Sequence, residues 1–165
     1  MKKEFVVGIS DYKITKNPNK LITYALGSCV GTVILDPINK IGGLSHILLY
    51  DSTLFNKNIE VKKYADTAIP DMVNNLIIYG AKRSNLMAYI AGGAKTFLKE
   101  KVTSYFDIGN SNIKAVKQVL KELKIPIVQE DVGGSVGRTM SIDLENLKVF
   151  IKYAKHLNDI QVKQL

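Results

Sequence analysis

The chain has 165 residues, 46% of them hydrophobic, and carries 23 Lys and Arg against 15 Asp and Glu for a net charge of +8. That length suits one domain with a proper core; no apolar run approaches the ~20 residues needed to cross a bilayer, and Phe5 to Ile9 is too short for a secretory leader, so a cytoplasmic protein without membrane insertion is expected. One cysteine excludes an internal disulfide, one Cys with two distant His makes no recognisable metal site and implies no cofactor, and lysines scattered along the chain suit a solvated surface better than nucleic-acid readout.

In chain order, Phe5 to Ile9 reads as a strand, and Ser10 to Lys20, polar and without apolar period, as a loop. Leu21 to Leu26 is a second strand running into a Gly27-Ser28 turn. Val30 to Leu35 and Gly42 to Leu49 flank Asp36-Pro37-Ile38-Asn39-Lys40, whose Pro presets φ, and together predict a β-hairpin. After a polar loop from Asp51 to Glu60, the residues Ala65, Ala68, Ile69, Met72, Val73 and Leu76 follow the spacing of an amphipathic helix. It stops at Gly80, and Pro70 is tolerated best if it begins near Asp66.

Leu86 to Ile90 reads as a buried strand ended by Ala91-Gly92-Gly93-Ala94. Lys95 to Asp107 has no clear period beyond a short helical turn at Thr96 to Leu98. Ile113, Val116, Val119, Leu120 and Leu123 share one face of a second helix capped by Asn110 or Ser111, with Lys114, Lys117, Lys121 and Lys124 turned to solvent. Ile125 to Val132 is a strand, followed by a glycine-rich stretch up to Arg138 that either turns tightly or holds an anion. Met140 to Asp143 and Leu147 to Lys152 predict a closing hairpin. The domain is expected over residues 1–152, with 153–165, including His156, as a C-terminal tail or short helix. Strands at both ends with two helices between argue an α+β fold, a layered sandwich of mixed β-sheets covered by helices.

The chemistry concentrates in the first hairpin, which holds the only cysteine, Cys29, and His46. Facing positions of an antiparallel pair sum to a constant, about 75 or 76 for a turn centred near Pro37 and Ile38; Cys29 plus His46 is 75, so thiol and imidazole come within reach if both side chains leave the same face, a parity that a one-residue slip of register breaks. A thiol beside an imidazole is the arrangement that yields a nucleophilic thiolate. On residue types alone Cys29 also reads as a small buried hydrophobe and His46 as a core histidine. Gly27, Ser28 and Gly31 weigh toward chemistry, since small residues admit a substrate and leave backbone N–H groups free to steady an oxyanion. Periodicity gives no reason to place Thr23 beside Cys29.

Several separated pieces coincide with one family: Leu26-Gly27-Ser28-Cys29-Val30, Asp36-Pro37, Gly42-Gly43-Leu44-Ser45-His46, Tyr64-Ala65-Asp66-Thr67-Ala68, Gly92-Gly93-Ala94, Ile108-Gly109 with Asn112, and Glu130-Asp131-Val132-Gly133-Gly134 continuing to Gly137-Arg138. In that order they resemble the chemotaxis protein CheD family of chemoreceptor glutamine deamidases, with Ser111 where the family often has Arg and Ser135 where Asn is usual. The resemblance implies a fold like that of the deamidating cytotoxic necrotizing factor toxins. It implies Cys29 as nucleophile, His46 as base and acid, and Thr23 as the group orienting the imidazole, with Ser28, Gly27, Gly43 and Ser45 shaping the site. It further implies hydrolysis of receptor glutamines through a thioester, a route that would also serve methylated glutamates, and two partners: the cytoplasmic domain of a chemoreceptor (a methyl-accepting chemotaxis protein) and a CheC-type phosphatase. On its own the chain is expected to be a monomer. The contrasting expectation is a non-catalytic adaptor that binds CheC or the receptor and keeps Cys29 for packing.

Overall fold

Every residue of strands β4 (Val30–Asp36) and β5 (Ile41–Ile47) is buried, on both faces of the hairpin, so layers must lie above and below it. In the computed structural model, which describes residues 1–54, 58–95, 107–154 and 161–165, those layers are a second sheet on one side and two helices on the other. The central sheet takes the order β2-β5-β4-β6-β7, with β2 at Tyr12–Lys16, β6 at Met87–Gly92 and β7 at Ile127–Val132. The outer sheet runs β1-β3-β8-β9-β10, with β1 at Glu4–Val6, β3 at Lys20–Leu26, β8 at Arg138–Asp143, β9 at Lys148–Tyr153 and β10 at Gln161–Gln164.

The two-residue period of β4 and β5 divides the core. Val30 and Ile34 of β4, with Ile41 and Ile47 of β5, pack against helices α1 (Ala65–Tyr79) and α2 (Ile108–Glu122) through Ile69, Met72, Leu76, Val116 and Leu120. Val33, Leu35 and Leu44 point the other way and meet Leu21, Met140, Ile142 and Ile151 of the outer sheet. An α+β sandwich of helices, central sheet and outer sheet results, as expected. At the hairpin turn the buried Asp36 carboxylate accepts from the N–H groups of Ile38, Asn39 and Lys82 at 2.8–3.0 Å and so ties the turn to the segment after α1.

The structure departs from the sequence reading in several elements. Tyr12–Lys16, expected as loop, is an edge strand paired with β5; only Tyr12 and Ile14 carry its core-facing phase, too short a run to stand out among polar neighbours. Helix α2 is capped by Asp107, whose carboxylate accepts from the Asn110 N–H at 3.0 Å, rather than by Asn110 or Ser111. The segment expected as a terminal helix or tail supplies β10, antiparallel to β9, which completes the outer sheet. Both the helical turn placed at Thr96 to Leu98 and His156 lie outside the described residues.

Candidate active site

Thr23 of β3 and His46 of β5 meet in the space between the sheets, and Cys29 stands just ahead of β4. In the hairpin, Val30 faces Ile47 and Gly31 faces His46, a sum of 77, because the turn is centred between Ile38 and Asn39. Cys29 and Gly31 share a face, so Cys29 stays on the side of His46 as its diagonal neighbour. That side is the inter-sheet face, where Cys29 belongs to the same buried cluster as Val33, Leu44 and Met140. Thr23 comes from the outer sheet and is fully buried. Just beyond it β3 carries a bulge, with Ala25 at φ 57, which bends the chain from the outer sheet toward the Cys29 loop.

A proton inventory fixes the tautomer of His46. The Thr23 hydroxyl donates to the Val7 carbonyl at 2.8 Å and lies 2.7 Å from His46 Nδ1. A hydroxyl has one proton to give, so with that proton on Val7 the Nδ1 must be the N–H donor and Nε2 carries the free lone pair. Nε2 is buried and has no hydrogen-bond partner among the described residues. Burial lowers the His46 pKa to about 4, and burial also pushes the Cys29 thiol up, partly offset by a hydrogen bond from its own backbone N–H. The resting pair is therefore a neutral thiol and a neutral imidazole with an unshared lone pair, rather than an ion pair.

The Cys29 loop is held by its carbonyls. Gly27 O accepts from Ala94 N at 2.7 Å, Ser28 O from Asn112 Nδ2 at 2.9 Å, and Cys29 O from Gly93 N at 2.8 Å. The N–H groups of Ser28 and Cys29 donate to no carbonyl among the described residues, and that of Cys29 turns only to its own thiol. Two N–H groups with no backbone acceptor, one of them on the sulfur itself, make a local site for an oxyanion. The approach is close enough that a Cβ on Gly92, at φ +105, would sit 2.2 Å from Cys29 O. Asn112, Gly92 and Gly93 are the residues that reasoning from the sequence did not assign to the site; the only signal for them was their place in the family motifs.

Gly43 and Ser45 lie elsewhere. A Cβ on Gly43 would meet Met72 of α1 at 2.9 Å, and Ser45 Oγ donates to Thr32 O at 3.5 Å, both on the helix side of β5, where the two-residue period sends odd positions. The glycine-rich segment before Arg138 does not offer the Arg138 guanidinium to an anion. The buried Arg138 guanidinium is spent on Asp131, Gly133 O and Val136 O, and Asp131 also accepts from Tyr153 Oη. Among the described residues no three His, Cys, Asp or Glu groups are arranged to hold a metal ion, and no helix is long and apolar enough to cross a membrane.

Comparison with known proteins adds an independent finding. The family model for CheD chemotactic sensory transduction matches residues 48–153. A Clostridium botulinum (strain Hall) protein named "Probable chemoreceptor glutamine deamidase CheD" is 51% identical over 150 residues, covering 91% of this chain and 93% of that one. One of the same name from Desulforamulus reducens is 47% identical over 151 residues, covering 90% of each chain.

Proposed function

The chain belongs to the CheD family, and from that premise we propose that it is a cytoplasmic glutamine deamidase acting on chemoreceptors, with Cys29 as nucleophile, His46 as base and acid, and Thr23 as its orienting group. The observation that carries this is the Thr23–His46 pair at 2.7 Å, whose proton inventory leaves Nε2 free as a base on the face that bears the only thiol. As Cys29 Sγ attacks the carboxamide carbon of a substrate glutamine, its proton passes to Nε2 and the carbonyl π pair moves onto oxygen. The Ser28 and Cys29 N–H groups receive that oxyanion. Collapse breaks the C–N bond, and ammonia leaves with the proton held on Nε2, giving a thioester. Water then gives its proton to Nε2 and adds to the thioester carbon; the second collapse releases glutamate and returns the proton to sulfur.

Nothing among the described residues near Cys29 forms a charged clamp for the α-groups of free glutamine, which favours a side chain presented on a protein. Each conversion adds one negative charge to the substrate surface and so biases its packing equilibria. A CheC-type phosphatase is the second partner in this reading, and the same thioester route would hydrolyse a methylated glutamate.

One observation favours the adaptor reading: Cys29 is only 7% exposed and belongs to the inter-sheet core. Mass spectrometry of a receptor cytoplasmic fragment separates the two. Incubation with the wild type is expected to add about 1 Da at specific glutamines, NH₂ being replaced by OH, and incubation with Cys29→Ala to add none. Equal mass gain with both proteins, or none with either, overturns the deamidase assignment.

A further inference from the structure

We infer that Asn112 is the positioning residue of the oxyanion site, the group that aims the Cys29 N–H at the reacting carbonyl; this rests on the deamidase reading above. A trans peptide is planar, so its C=O and N–H point in opposite directions, and whatever holds the carbonyl of one residue sets the N–H of the next. The peptide joining Ser28 to Cys29 is held by Asn112 Nδ2, which donates to Ser28 O at 2.9 Å. Its neighbours are held by backbone, Gly27 O by Ala94 N and Cys29 O by Gly93 N. Asn112 is thus the one side chain among the three supports of the nucleophile loop.

The second proton of Nδ2 goes to Leu48 O at 3.0 Å, two residues past His46 and just beyond the end of β5. One amide therefore fixes the nucleophile's peptide relative to the segment that carries the base. The helix is brought to this spot by a glycine contact: a Cβ on Gly109 would lie 2.6 Å from Gly93 O, and Asn112, three residues later, falls on the same face of α2. Asn112 is fully buried, and its Oδ1 has no hydrogen-bond partner among the described residues. Packing alone is served better by an apolar side chain of this size, which would bury no unpaired acceptor. What such a side chain cannot do is hold the Ser28 carbonyl.

The test compares the wild type, Asn112→Leu, Asn112→Asp and Cys29→Ala by receptor-fragment deamidation and by iodoacetamide alkylation of Cys29, with far-ultraviolet circular dichroism confirming folding. Alkylation displaces iodide at a saturated carbon and develops no oxyanion. Both Asn112 variants are expected to lose about 10- to 100-fold in kcat with KM nearly unchanged, while alkylating at the wild-type rate. Should one variant fail to fold, the other carries the measurement; failure of both to fold assigns Asn112 to structure and overturns the proposal. A parallel fall in kcat and alkylation, or a wild-type kcat in either variant, overturns it as well. A wild type that shows no mass gain dependent on Cys29 sinks the deamidase reading itself, and Asn112's role with it.

Discussion

At the scale of single residues, the consequence of the geometry is a particular pH behaviour. Burial takes the His46 pKa down to about 4 and pushes the Cys29 thiol up, so neither is charged at neutral pH. In the proposed reaction Cys29 and His46 therefore exchange their proton during attack instead of before it. The thiolate ultraviolet absorbance is expected to be absent at neutral pH, to rise only on the alkaline side of an ordinary cysteine, and to be unaltered there by His46→Ala. The profile of kcat/KM should be broad, falling on the acid side as Nε2 is protonated and on the alkaline side as the thiol loses the proton that ammonia needs. A full thiolate signal near neutrality, abolished by His46→Ala, would contradict this and restore a preformed ion pair. The sequence made part of this site readable. Of the two register sums read from the turn, 75 differs from the observed 77 by an even shift, which keeps Cys29 and His46 on one face, whereas 76 would have set them on opposite faces. Thr23 was not readable from period, since it reaches His46 from the other sheet, and no local pattern encodes which strands meet across a core.

At the scale of elements, the glycine-rich pieces that looked like ordinary turns serve different ends. Gly92 and Gly133 both hold positive φ, at +105 and +82, but only Gly92 is hemmed in: a Cβ there would be 2.2 Å from Cys29 O, whereas nothing lies within 4 Å at Gly133. Gly133→Ala should therefore meet backbone strain alone, about 1 kcal/mol, and leave deamidation per folded molecule unchanged. Gly92→Ala must also displace the carbonyl that Gly93 N–H holds, and is expected to cost about 2–3 kcal/mol and to depress kcat beyond any loss of folded protein. Urea unfolding alongside the mass assay distinguishes them; equal effects of the two substitutions would show that the close approach at Gly92 does not matter. Helix α1 was legible almost to its ends, and α2 to within a turn at its start, where Asp107 caps it instead of Asn110 or Ser111. The edge strand Tyr12–Lys16 was not, because only two residues, Tyr12 and Ile14, carry its apolar phase in a stretch otherwise polar.

At the scale of the molecule, the site spans both sheets, so the sandwich cannot part without separating Thr23 from His46. The fold class followed from the order of strands and helices, but the division of the ten strands among the described residues into two sheets did not, since β3 pairs with β8 across more than a hundred residues of chain. A buried neutral histidine in that seam makes folding stability depend on pH. His46 titrates at about 4 when folded against 6.5 for a free histidine, so between those values the unfolded chain binds a proton that the folded one refuses. The stability contributed is present above the unfolded pKa and is lost as pH falls toward the folded one. From about pH 7 to about pH 5 the loss is roughly 2 kcal/mol. Acidic side chains act in a lower window. Burial pushes the Asp36, Asp131 and Asp143 carboxyls up, but hydrogen bonds led by those from Asn39, Tyr153 and Lys2 outweigh it and hold all three below the ordinary carboxylate range. Their contribution is lost only as pH drops past that range, after His46 has begun to titrate. Denaturant titrations at the two pH values should therefore show the wild type losing stability where His46→Gln loses about 2 kcal/mol less. Parallel losses in the two proteins would mean that the imidazole meets enough water to titrate normally, and the neutral resting pair would fall with it.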